Sequence, residues 1–257
     1  MYNDLVLTKL LRQDRAIVIA GAAAIALLGW TYLFYQGWAM QHMDLVAMAM
    51  PSTGGWGPMD LLLVFAIWAV MMVPSATPML LAFATISRSR SAQGRAFVPL
   101  WVFLVGYLVL WTAFSLAATL AQWGLHSLAL ISPMMVATSP LVGSLLLIAA
   151  GVYQWTPLKQ ACLTHCRSPL QFLLTCWQDG SAGAFLMGLR HGAYCLGCCW
   201  LLMAVLFAVG VMNLGWIAAL SVFVLVEKII PRGFWVAKVA GLFLMGLGGW
   251  MALSGGA

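Results

Sequence analysis

Phe97-Val98-Pro99-Leu100-Trp101-Val102-Phe103-Leu104-Val105-Gly106-Tyr107-Leu108-Val109-Leu110-Trp111-Thr112-Ala113-Phe114-Ser115-Leu116-Ala117-Ala118-Thr119-Leu120-Ala121-Gln122 runs without one charged residue. A bilayer-spanning helix needs about 20 consecutive apolar residues, and a soluble core helix is usually shorter. A membrane β-barrel strand would alternate polar and apolar positions over runs of about ten, and this stretch does not alternate. The stretch therefore reads as a transmembrane α-helix, and the whole chain agrees with it. At 64% hydrophobic and 7% charged residues, with a mean hydropathy of +1.00, the protein has too little polar surface to coat a water-soluble globule.

Cutting the sequence at charges, prolines and glycines gives seven apolar stretches: 16–35, 60–84, 97–122, 133–154, 182–210, 212–230 and 234–254. The expected fold is an all-α integral membrane bundle of about seven helices, forming a single domain over 1–257. The first stretch follows Lys9, Arg12 and Arg15, as a signal peptide does. It is long, however, runs into Trp30, Tyr32 and Tyr35, and has no clear small-residue cleavage site, so it is read as a helix. Asn213-Leu214-Gly215 reads as a tight hairpin between two spans.

Orientation follows from where the cations fall, because cytoplasmic loops retain Lys and Arg. With the N-terminus inside, the inner segments hold Lys9, Arg12, Arg15, Arg88, Arg90, Arg95, Lys159, Arg167, Lys228, Arg232 and Lys238, leaving Arg190 within a span. The outer loops at 36–59, 123–132 and 212–215 carry none. This pattern predicts a multi-pass membrane protein with its N-terminus in the cytoplasm, and the lipid bilayer as its first partner. Dispersed among the inner loops, the basic residues form no nucleic-acid surface.

Candidate chemistry lies in soft side chains. The outer loop Met40-Gln41-His42-Met43-Asp44, with Met48, Met50 and Met59 after it, offers thioethers and an imidazole, which hold Cu(I) well and hard ions poorly. The same loop also suits an interfacial amphipathic helix. Within the second span, Met71-Met72-Val73-Pro74-Ser75-Ala76-Thr77-Pro78-Met79 places two prolines four apart, predicting a kink. Irregular backbone at membrane depth belongs inside protein or against a cavity, although a kinked packing helix would read the same way.

The fifth span carries Arg190-His191-Gly192-Ala193-Tyr194-Cys195-Leu196-Gly197-Cys198-Cys199-Trp200. Spacings of three, four and seven put His191, Cys195, Cys198 and Cys199 on one helix face, while Gly188, Gly192 and Gly197 let a neighbour approach. The face is expected to turn into the bundle. A fourth segment, 153–169, reads as a short inner helix framed by Pro157 and Pro169, with Cys162 and Cys166 one turn apart. These two could take a metal or be idle reduced thiols. Glu227 and Lys228 end span six as an ion pair or as a polar lock on another helix. His126 and Cys176 receive no role. No phosphate loop and no Ser, His and carboxylate set is present, so no catalytic residue is assigned.

These residues, as an ordered set, resemble a family of bacterial predicted metal-binding integral membrane proteins. The matching pieces are Trp68 with Met71-Met72-Val73-Pro74-Ser75 and Pro78-Met79; Gly106-Tyr107 with Trp111 and Phe114-Ser115; Gly151-Val152-Tyr153-Gln154 with Pro157-Leu158-Lys159, Cys162 and Cys166-Arg167; Gly192, Cys195, Gly197-Cys198-Cys199-Trp200 and Met203; and Glu227-Lys228. The resemblance covers most of the chain from residue 60 onward. It implies a helical membrane protein that binds metal, and it implies no particular reaction.

From the residues themselves, copper as Cu(I) is the expected ligand, with zinc as the second candidate. The expected metal ligands are Cys195, Cys198, Cys199, His191, Met71, Met72, Cys162, Cys166, His42 and Met43. The expected client is a copper-dependent membrane enzyme. Two readings stand beside this one: a thiol oxidoreductase built on the C-x-x-C of Cys195 and Cys198, and an accessory subunit of a larger membrane complex.

Overall fold

The computed structural model describes Thr31 and residues 57–95, 97–128, 139–210, 214–230 and 232–254. His42, Met43 and the rest of the Met-rich loop up to Met50 lie outside the described residues, as does the first apolar stretch apart from Thr31. Ten helices are described: α1 (Pro58–Val70), α2 (Val73–Ala92), α3 (Leu100–Ser127), α4 (Pro140–Tyr153), α5 (Pro157–Arg167), α6 (Pro169–Cys176), α7 (Gly180–Ala204), α8 (Leu206–Val209), α9 (Leu214–Ile229) and α10 (Gly233–Ser254). Among the described residues there is no strand.

Proline sets many of the starts. Pro74, Pro140, Pro157 and Pro169 all fall in the first turn of a helix, where the missing N–H has no intrahelical partner to lose. This changes the reading of the second apolar stretch. Its break falls at Met71 and Met72, ahead of Pro74, and Pro78 is carried inside α2. The inner segment matches its expectation: Pro157 opens α5, and Pro169 opens the next helix directly after it. Leu214 and Gly215, read as part of a hairpin, begin α9 instead.

Among the described residues, three helices are long and apolar enough to cross a membrane: Leu100–Ser127, the run Gly180–Val209 formed by α7 and α8, and Gly233–Ser254. Helices α4 and α5, bent by 65° at their junction, qualify together as one broken span. Helix α1 has 13 residues and α9 has 16, each short of a full crossing. Large apolar side chains such as Trp101, Phe243, Trp250 and Leu253 point outward, which suits lipid rather than water as solvent.

Glycine determines how closely the helices pack. A methyl added at Gly188 of α7 would overlap the Phe103 carbonyl oxygen of α3, and one added at Gly241 of α10 would come within 2.8 Å of the Gly151 oxygen of α4. Backbones can meet this closely only where no side chain intervenes, the usual device of membrane helix pairs. The main core, between α1, α2, α3, α7 and α9, contains Trp68, Met72, Phe83, Phe103, Tyr107 and the cysteines of α7.

Candidate metal site

The thiol stripe of α7 turns inward, as its spacing predicts. Cys195, Cys198 and Cys199 are wholly buried, and His191 is nearly so. Two of the thiols are held by their own helix: the Sγ atoms of Cys198 and Cys199 each donate to the Cys195 carbonyl at 3.0 Å. This is the back-bonding that short polar side chains make within a helix. His191 takes a different environment. Its ring stacks on Tyr107 and packs against Phe103 and Phe172, and its Nδ1 is buried without a hydrogen-bond partner.

Helix α5 brings in the second set of thiols. Because the chain bends by 65° after α4, α5 packs along α7. Cys162 lies against Gly197, where an added methyl would be 2.7 Å from the Cys162 sulfur. Cys166 is buried, with its sulfur 3.9 Å from that of Cys198. The sequence suggested an inner station separate from the α7 stripe; in the structure Cys166 and Cys198 belong to one group. The hydroxyl of Tyr153 donates to the Gly197 carbonyl and ties the end of α4 to the same turn of α7.

Met71 and Met72 are both buried beside the start of α2. The Met71 carbonyl accepts from Ser221 Oγ at 3.2 Å, and the Met72 carbonyl accepts from Ser75 Oγ at 2.8 Å, so hydroxyls satisfy the oxygens exposed by the break. Ser75 Oγ also lies 3.9 Å from the Met72 sulfur.

Sequence reasoning gave three members of this neighbourhood no place in the thiol site. Lys228 Nζ, buried at the end of α9, donates to Cys195 Sγ at 3.1 Å, to Ser75 Oγ at 3.1 Å and to the Ser75 carbonyl at 3.4 Å. Ser75 thereby links the broken helix to the thiols, and the Tyr107 hydroxyl lies 3.5 Å from Cys195 Sγ. Of the two readings of Glu227 and Lys228, the polar lock on other helices holds, and Lys228 is not paired with its neighbour Glu227. Glu227 instead meets Lys159 of α5 at 2.8 Å, with both side chains wholly buried. Adjacent helix positions differ by about 100° in direction, so a consecutive acid and base turn to different partners. A lysine at a span end next to a thiol-bearing helix is the signal that could have pointed to this contact.

Among the described residues, no three His, Cys, Asp or Glu side chains close around a common point as a ready-made metal shell. Cys166 and Cys198 form one close thiol pair. With metal–sulfur bonds of about 2.3 Å, two sulfurs on one ion stand roughly 3.8 to 4.6 Å apart, from a tetrahedral to a linear arrangement. The Cys166–Cys198 separation of 3.9 Å falls in that interval. Two soft donors at this spacing suit Cu(I), whereas structural zinc asks for four ligands.

No curated protein and no solved structure matches the chain. A family model described as a copper chaperone, PpoB2, matches residues 62–251. That interval takes in the break at Met71, the cysteine-bearing helices α5 and α7, and Lys228. On the strength of a match that covers most of its length, the chain belongs to the copper chaperone family.

Proposed function

We propose that the protein binds Cu(I) between Cys166, Cys198 and the neighbouring thiols Cys195 and Cys199, and passes it on to a copper-dependent membrane enzyme. The single observation that carries this reading is the meeting of thiols from two helices in a buried core, at a spacing that fits one soft ion. Met71 and Met72, beside the broken helix, serve as a thioether approach to the thiols, and Cys162 lies on the departure side. His42 and Met43 capture the ion from the outer face. His191 shapes the aromatic wall around the site. Copper is cargo here, held by exchange between thiolates and thioethers rather than moved through a water-filled pore.

The same reading places the chain as a multi-pass, seven-helix protein of the inner membrane with its N-terminus in the cytoplasm, supported by the distribution of Lys and Arg. Metal analysis of the purified protein after copper-replete growth tests the function: close to one equivalent of copper is expected. Less than about a tenth of an equivalent would defeat it, because buried soft donors should retain a soft ion through purification.

The thiol oxidoreductase reading keeps one observation in its favour, since Cys166 and Cys198 are near enough to approach disulfide contact. Thiol trapping separates the two. A redox pair cycles between reduced and disulfide forms, and a copper site is shielded from alkylation only while loaded.

A further inference from the structure

A buried ammonium 3.1 Å from a candidate copper ligand is an obstacle to any cation unless the site carries compensating negative charge. Lys228 is such a group, and its contacts are specific. Lysine offers only donors, so Cys195 Sγ and both oxygens of Ser75 accept from it. The other buried ion pair nearby, Lys159 with Glu227, cancels within itself at 2.8 Å and supplies no charge to balance Lys228. Among the described residues in contact with it, only the thiol cluster, as thiolate, can do so.

From this geometry we infer that Lys228 sets the valence of the ion the cluster accepts, a reading that rests on the copper site proposed above. Because no three His, Cys, Asp or Glu side chains among the described residues converge on one point, an ion takes two thiolates at a time, and two thiolates, one monovalent ion and one ammonium together carry no net charge. The same two thiolates and ammonium around a divalent ion keep one positive charge buried with no partner, and isolated charge in a low-dielectric interior is strongly disfavoured. Lys228 therefore favours Cu(I), or Ag(I) as its redox-inert analogue, over Zn(II) and Cd(II). The discrimination comes from charge in addition to the softness of sulfur. Ser75 keeps the ammonium in place: it anchors Nζ from the α2 side, so the charge stays beside the sulfur and does not retreat toward the inner membrane boundary.

The test uses the full-length protein in detergent. Cu(I) is titrated against a chromophoric Cu(I) chelator, and Zn(II) against a zinc indicator. The proteins compared are the wild type, Lys228→Gln, Lys228→Arg and the double variant Cys195→Ser/Cys198→Ser. Lys228→Gln is expected to reduce the preference for Cu(I) over Zn(II) by at least about 100-fold, the scale set by removing one member of a buried charge pair. Lys228→Arg should restore most of the preference. A merely structural lysine would weaken both metals together and leave the ratio unmoved.

If the serine variant still binds Cu(I) as the wild type does, the copper site itself is misplaced. If it loses Cu(I) while Lys228→Gln keeps the wild-type ratio, the site stands and the valence role fails. Should Lys228→Gln not fold, competition on the wild type decides the matter. Ag(I) and Cd(II) are both soft, so Cd(II) displacing Ag(I) at equal concentration would overturn the inference, and Ag(I) retained against excess Cd(II) would sustain it.

Discussion

Lys159 of α5 and Glu227 of α9 meet at 2.8 Å with neither side chain reaching the surface. The pair pins the cysteine-bearing α5 to the helix that supplies Lys228, so it positions two parts of the site at once. A buried ion pair adds little over a well-packed apolar pair, but removing one partner strands a charge at a cost of about 3–5 kcal/mol. Lys159→Met alone should therefore lower the melting temperature of the detergent-solubilised protein markedly. Lys159→Met combined with Glu227→Leu should recover much of the loss. Additive loss in the double variant would show that the two residues do not act as a pair.

On the proposed copper site Cys198 and Cys166, 3.9 Å apart, share one ion, so each alone should be indispensable. Replacing either with serine exchanges a soft donor for a hard one at nearly constant volume. Cu(I) affinity should fall by more than the roughly 10- to 100-fold typical of changes behind the direct ligands. Cys162→Ser should have a smaller effect, because Cys162 packs on Gly197 and is not paired with Cys198. Competition titration with a Cu(I) chelator measures all three, and equal effects would remove the distinction.

Mild oxidation offers a separate check on the same contact. With the metal removed, a thiol-specific oxidant should produce a disulfide between Cys166 and Cys198, identified by peptide mapping. Loading with Cu(I) or Ag(I) beforehand should suppress it. A disulfide that forms equally fast with the site loaded would mean that the ion sits elsewhere.

Gly197 allows α5 to lie against α7. An alanine there would put a methyl 2.7 Å from the Cys162 sulfur, and overpacking of this kind typically costs about 1–3 kcal/mol. Gly197→Ala should lower both thermal stability and Cu(I) affinity, since the displaced helix carries Cys166. At Gly249 nothing stands within 4 Å of the added carbon, so Gly249→Ala should be neutral or should stabilise α10 by about 0.5–1 kcal/mol. If both variants melt alike, close packing at Gly197 is not limiting.

Asp179, just before α7, accepts from the Trp177 indole at 2.9 Å and the Arg90 guanidinium at 2.8 Å. The indole hydrogen bond first, and Arg90 after it, hold its carboxyl below the ordinary carboxylate range. Stability from this junction is complete above the unfolded value of about 4 and is lost as pH falls through the lower folded value. The wild-type melting temperature should fall more steeply across that window than that of Asp179→Asn. Parallel curves would show that the junction contributes nothing, and the exposure of Asp179 makes the expected difference small.

The membrane-helical class was legible because uncharged apolar runs of about 20 residues suit a bilayer span and little else. The burial of Cys195, Cys198 and Cys199 was legible from helical periodicity. The partner of Cys198 was not, since nothing in residues 153–169 states that α5 bends back by 65° onto α7. Local signals give the ends of that helix, Pro157 and Pro169, but its direction depends on packing by residues distant in sequence. A lock by Lys228 on another helix was one of two readings open in the sequence, but its thiol partner was hidden for a related reason. Read as a string, Lys228 neighbours an acid and looks neutralised; on a helix the two side chains diverge, and each finds a partner on another segment. The helix break was anticipated from the prolines and displaced by a few residues, because a proline is best accommodated just after a break rather than at it.

Cys166 and Cys198 lie 32 residues apart and belong to different helices, α5 following a 65° bend in the chain. Neither helix alone carries that pair, so a partly synthesised or wrongly inserted chain has no complete grip on a soft ion. On the proposed site, capture waits until the bundle has closed, so correct assembly comes before loading.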